Sequence, residues 1–129
     1  MLRDHLEKFC KELSIQMPKL DKQAMYTFRV GEESIAIRDL DPGAALHAHI
    51  CETPDKKKED LFIYLMRANL LGQGTGGTRI GLDPNEKFLT LSLGLPYELN
   101  YQTFRETIED FVNYLIYWRD EIAKFEKVT

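Results

Sequence analysis

The sequence is poor in cysteine, carries no excess of positive charge and has no long apolar run, and each shortage removes a class of protein. Its two cysteines, Cys10 and Cys51, lie far apart, so reduced thiols are expected rather than a disulfide framework. Seventeen lysines and arginines face 21 aspartates and glutamates, a formal net charge of −4. Such a surface does not favour DNA, RNA or anionic lipid, so neither nucleic acid nor membrane insertion is expected. No stretch approaches the ~20 apolar residues of a membrane helix. The opening stretch MLRDHLEKFCKELSI carries acids throughout and has no apolar core of a signal peptide. The cytoplasm is therefore the expected compartment. Also missing are internal repeats, a G-x-S-x-G nucleophile elbow and a lysine in a Walker position.

What is present is ordinary globular material. With 129 residues, 43% hydrophobic and 29% charged, the chain is long enough for one domain, 1–129, around one core.

Leu2, Leu6, Phe9 and Leu13 recur at helical spacing with charges between them, predicting a first amphipathic helix. AMYTFRV then alternates, with Tyr26, Phe28 and Val30 on one face. The turn GEE leads to SIAIRDL, with Ile35 and Ile37 alternating. DPG turns the chain into ALHAHICE, with Leu46, Ala48 and Ile50 on one face. Three strands in an antiparallel meander follow. The charged segment TPDKKKED precedes a second helix over 59–71. RIGL and FLTLSLGL read as two more strands, and Leu89, Leu91, Leu93 and Leu95 share one face of the latter. A final helix runs from about Asn100 to Lys124. Tyr101, Phe104, Ile108, Phe111, Leu115, Trp118, Ile122 and Phe125 recur along it at steps of three and four. The predicted order is α-β-β-β-α-β-β-α, an α+β fold with a twisted antiparallel sheet packed by helices.

Gly72, Gly74 and Gly77 spell G-x-G-x-x-G, the spacing that cradles a dinucleotide pyrophosphate. That chemistry needs a strand before the glycines and a helix after them. Here the order is reversed, so the glycines follow the negative end of a helix. A helix cap and a loop account for them, and no cofactor is expected. His47, His49 and Cys51 fall on one face of a strand, and three such groups suit zinc or copper. Alternate residues on a strand lie almost 7 Å apart, however, so one ion does not reach all three without a bulge. A polar sheet face is the simpler account, and His5, isolated on the first helix, is read as solvated.

In LFIYLMRANLL only Arg67 and Asn69 are plainly polar. A helix on a sheet needs an apolar stripe of roughly 100°, not its whole circumference. Phe62, Met66, Leu70 and Leu71 are therefore left over, and a homodimer is the expected way to bury them. Ile80, on the following strand, joins this candidate interface.

The segment from LFIYLMRANLLGQGTGGTRIGLD through KFLTLSLGLPYELNYQTFRETIEDFVNYLIYWRDEI resembles the class I chaperones of type III secretion, the Tir-chaperone family. The matching residues are Ala68, Asn69 and Leu70, then Gly76 and Gly77, then the strand from Leu89 to Leu95. The resemblance extends over nearly the whole chain. It implies an acidic, cytoplasmic homodimer without enzymatic activity, metal or ATP hydrolysis. Its partners would be secreted effector proteins, each bound through an extended chaperone-binding segment, and components of the secretion apparatus. HAHIC departs from the family and leaves open a small metal-binding or redox-sensing protein built on His47, His49 and Cys51.

For a client, the first helix and first hairpin carry more apolar material than one sheet face needs. Leu13, Ile15, Met17, Leu20, Met25 and Phe28 form the candidate binding surface, with methionines supplying adaptability.

Overall fold

A computed structural model describes residues 2–40, 43–71, 77–96 and 98–127, with the side chains of Leu71, Glu126 and Lys127 left out of the description. The elements follow the expected order: α1 (Leu2–Glu12), β1 (Met25–Val30), β2 (Glu33–Asp39), β3 (Ala44–Glu52), α2 (Lys58–Leu71), β4 (Arg79–Leu82), β5 (Phe88–Leu95) and α3 (Tyr101–Lys127). The strands form a five-stranded sheet in the order β1-β2-β3-β5-β4, so β1 and β4 are its edges. The chain divides into two compact units. One comprises Met1–His47 with Gly94–Val112, the other Ala48–Leu93 with Asn113–Thr129.

In the first unit, alternation sets the register. Tyr26 pairs with Ile37 and Phe28 with Ile35 across the β1–β2 hairpin, and Ile37 pairs with Leu46 on β3. All five are buried. The α1 stripe adds Leu6 and Phe9, and Phe9 stands edge-on to both Phe28 and Phe104, with centroids 6.0 and 6.3 Å apart. Each such side chain, once buried, contributes about 1.5–3 kcal/mol.

The stripe ends one turn earlier than periodicity alone predicts. Ser14 adopts a left-handed conformation (φ 56°), Ser14 N–H donates to Lys11 C=O and Ile15 N–H reaches back to Cys10 C=O. This is the Schellman closure, with serine where glycine is usual. Leu13 is consequently left 43% exposed.

His5 also departs from expectation. Its Nε2–H donates to Leu99 C=O at 2.6 Å, and its ring lies 5.3 Å from Phe104 and 5.9 Å from Tyr101. It joins α1 to the segment before α3 rather than facing solvent, a long-range partner invisible to local periodicity. Asn100 caps α3, its Oδ1 accepting from Thr103 N–H at 2.8 Å. From there Phe104, Ile108 and Phe111 are all fully buried.

In the second unit the buried hydrophobic core residues include Ala48 and Ile50 of β3, Ile80 of β4, Leu89 and Leu91 of β5, Leu61 and Leu65 of α2, and Leu115, Trp118 and Ile122 of α3. Arg119 Nε–H donates to Ile50 C=O at 2.8 Å, fixing α3 against the end of β3. Asp83 builds the β4–β5 turn: its Oδ1 accepts from Lys87 N–H and Phe88 N–H. That is a turn role, as the sequence suggests for this aspartate.

Two outcomes follow from this part of the structure. Ser14→Gly relieves the left-handed strain at the end of α1, partly offset by glycine's greater unfolded freedom. The expected gain is about 0.5–1 kcal/mol, read from the urea midpoint. The second concerns Tyr101, whose hydroxyl burial pushes up to about 12, with Glu12 adding in the same direction. The folded chain then holds a proton that the unfolded chain releases near pH 10. The stability tied to it is intact below pH 10 and lost as pH rises towards 12. Urea melts across this window should show a steeper loss for wild type than for Tyr101→Phe; parallel curves would refute the assignment.

Candidate partner-binding surfaces

In the second unit, α2 begins with Glu59 and Asp60 in its first turn, where acids complement the helix dipole. Its inward stripe is narrow: Leu61 and Leu65 are buried, while half-buried Tyr64 donates to Glu121 Oε2 at 3.4 Å and stacks in parallel with Phe125 at 5.8 Å. A second apolar stripe faces away from this core. Ile63, Met66 and Leu70 are 51, 68 and 85% exposed, and their spacing of three and four places them on one side of the helix.

The expected dimer residues therefore divide. Met66 and Leu70 lie on the exposed stripe. Phe62 is half-buried, with Lys58 Nζ 6.0 Å from its ring centroid. Ile80 is buried within its own chain, and the side chain of Leu71 lies outside the described residues. Ile63 also lies on the exposed stripe and was not among the expected residues, because a helix apolar on nearly every side does not announce which stripe faces out.

In the first unit, Leu13 and Leu20 are 43 and 50% exposed. Ile15, Met17 and Met25 are half-buried, and Arg38 places an Nη2 3.4 Å from Met25 Sδ. Phe28 lies in the core. Exposed Leu40 was absent from the sequence-based set.

The same unit contains the β1 edge. Ladder alternation turns the main-chain groups of Met25, Thr27 and Arg29 away from β2. Met25 is closed by Asp21, whose N–H donates to Met25 C=O at 3.0 Å while its Oδ1 accepts from Met25 N–H. Thr27 and Arg29 continue the edge, and both side chains are exposed.

The motifs suggesting other chemistry resolve differently. His49 lies flat against Phe88, centroids 4.4 Å apart and planes 17° from parallel. Among the described residues no three histidine, cysteine or acidic groups converge to hold a metal ion. The His47–His49–Cys51 reading thus has no support, because the strand keeps their spacing extended. Gly72 and Gly74 lie outside the described residues. Gly77, at φ 90°, precedes β4, and the segment runs from the C-terminal end of α2 into a strand. No described helix is long and apolar enough to cross a membrane.

This fold occurs in proteins of known structure. The ExsC–ExsE complex contains a chain that matches with a TM-score of 0.78 at 15% identity, covering 92% of this chain and 91% of that one. The HopA1–SchA chaperone–effector complex contains one with a TM-score of 0.70 at 16% identity, covering 92 and 93%. YbjN from E. coli, described as a putative transcription regulator, matches with a TM-score of 0.71 at 14% identity over 95 and 92%. The class is thus a small α+β fold found in a chaperone–effector complex and in a protein described in other terms, and fold alone does not decide function. No curated protein matches the sequence significantly. The family is decided by the sequence: the model of the Tir chaperone protein (CesT) family matches residues 4–119. The chain belongs to that family of chaperones.

Proposed function

We propose that the protein is a cytoplasmic type III secretion chaperone, acting as a homodimer that holds an extended segment of one or more effectors in a soluble, export-competent form. Membership of the Tir chaperone family carries this reading, and the apolar residues exposed in both units supply surfaces it needs. The reading involves no catalysis and no cofactor. It also includes presentation of the bound client to the secretion apparatus.

The two surfaces take separate roles. The α2 stripe of Ile63, Met66 and Leu70 fits the dimer contact, with half-buried Phe62 beside it in sequence. Twofold pairing is the commonest way to bury a self-complementary patch. The surface of Leu13, Ile15, Met17, Leu20 and Met25 fits the client. The open edge at Thr27 and Arg29 offers main-chain partners to an extended segment, which is how strand addition adds affinity to side-chain specificity.

Leu70→Asp places an unpaired carboxylate in the proposed dimer contact, which costs about 3–5 kcal/mol when buried. Light scattering is expected to find a folded monomer at concentrations where wild type is dimeric. A fully dimeric variant would move the interface elsewhere.

The client reading is tested by affinity purification from the native cell, followed by co-expression with the protein recovered. Ile15→Glu and Met25→Glu should each reduce recovery of that client about tenfold or more while circular dichroism and dimer mass stay unchanged. Recovery equal to wild type from both folded variants would remove this surface from the binding site.

A further inference from the structure

The far edge of the sheet, β4, is handled by a side chain. Register with β5 pairs Arg79 with Ser92, Ile80 with Leu91, Gly81 with Thr90 and Leu82 with Leu89. Asp83 N–H donates to Phe88 C=O, so alternation turns the main-chain groups of Ile80 and Leu82 away from β5. At Ile80 both outward groups are taken by one residue. Asn69 Nδ2–H donates to Ile80 C=O at 2.7 Å, and Ile80 N–H donates to Asn69 Oδ1 at 2.9 Å. The orientation of the carboxamide is thereby fixed, since a carbonyl only accepts and an amide N–H only donates. This pair of bonds reproduces what one residue of a neighbouring strand would make.

Neighbouring groups extend the closure. Arg79 folds back so that its Nη1 donates to Thr78 C=O at 3.1 Å and Gly77 C=O at 3.2 Å. The carbonyls of Gly77, Thr78 and Ile80 are thus each bonded by a side chain, leaving Leu82 as the other outward residue of the strand. At the opposite edge, Asp21 closes Met25 but Thr27 and Arg29 follow it. Among the described residues the two edges are unequal: β1 keeps two outward residues, Thr27 and Arg29, and β4 keeps one, Leu82.

We propose that Asn69 acts as a one-residue substitute strand that closes β4 against edge-to-edge pairing with β4 of a second copy of this chain. An edge presents the same groups in every copy, so self-pairing is the hazard that an open edge creates. The surroundings here raise it, because β4 sits in the unit that also exposes Ile63, Met66, Leu70 and the 38%-exposed Leu82. A second copy gathered by apolar contacts would present its own β4 at high local concentration. Asn69 lies in the last turn of α2 and bonds a residue 11 positions further on, so it also spans the glycine segment between them. The inference is independent of any client.

Amide hydrogen exchange of the wild-type protein tests the closure directly. Ile80 should exchange at least about tenfold more slowly than Leu82, whose N–H also faces outward. Equal rates would overturn the proposal without any mutation. Asn69→Ala removes both bonds. It should bring Ile80 to the rate of Leu82 and drive association beyond the wild-type state, seen as species heavier than wild type in sedimentation velocity. Leu82→Pro, which removes an outward N–H from the same edge, should return the Asn69→Ala chain to the wild-type mass. A folded Asn69→Ala protein with a fast Ile80 amide and unchanged mass would overturn the proposal. So would heavier species that persist with Leu82→Pro, since they would not pass through this edge.

Discussion

The arrangement depends on apolar surface that the chain makes but does not bury. Helix α2 buries Leu61 and Leu65, yet exposes Ile63, Met66 and Leu70 on another side. Single exposed leucines are common on monomers and require no explanation. Three in register on one helix are different, because they form a continuous strip that water must cover. A partner that removes this strip from water gains about 25 cal/mol for each Å² of apolar surface covered. The same excess recurs in the first unit at Leu13, Leu20 and Leu40. A chaperone for extended segments needs such surface, since its client offers side chains and main chain rather than a folded shape.

Much of the fold was legible because it rests on periodicity. Tyr26, Phe28, Ile35, Ile37, Leu46 and Ile50 alternate, and all are buried. The α3 stripe from Phe104 to Ile122 recurs at three and four and is buried throughout. Both patterns follow from where Cβ atoms point along a strand or helix. Leu13 shows the limit. It continues the helical spacing of Leu6 and Phe9, but Ser14 ends the helix and leaves Leu13 half in water. Serine is a weak signal for a left-handed cap, where glycine would have been a strong one.

The candidate site was legible only in part, for a related reason. Apolar excess in LFIYLMRANLL could be counted, and Met66 and Leu70 followed from it. Which stripe of such a helix faces out depends on tertiary neighbours: Tyr64 meets Glu121, Trp118 and Phe125, so Ile63 and Met66 turn away. Ile80 is apolar and lies on the strand that follows α2, which suggested the interface, yet its own chain covers it. His5 shares this problem in reverse. Its partner Leu99 is 94 positions away, and no local pattern reports such a bond.

Asn69 ties these threads together. In the sequence it was one of two polar residues in an apolar helix, and its role in the family resemblance was only positional. In the structure its carboxamide satisfies two main-chain groups that an edge strand would otherwise present to water or to another chain. The second unit thus exposes apolar side chains while withholding much of its main-chain edge. The first unit combines a milder apolar excess with an edge open at Thr27 and Arg29. Side-chain contact alone suits a fixed partner of one sequence, because specificity then resides in packing. Main-chain pairing suits partners of varied sequence, because every extended peptide carries the same donors and acceptors. On this physical ground we propose the α2 stripe as the contact for a second identical copy, and the β1 end as the contact for a changing set of clients.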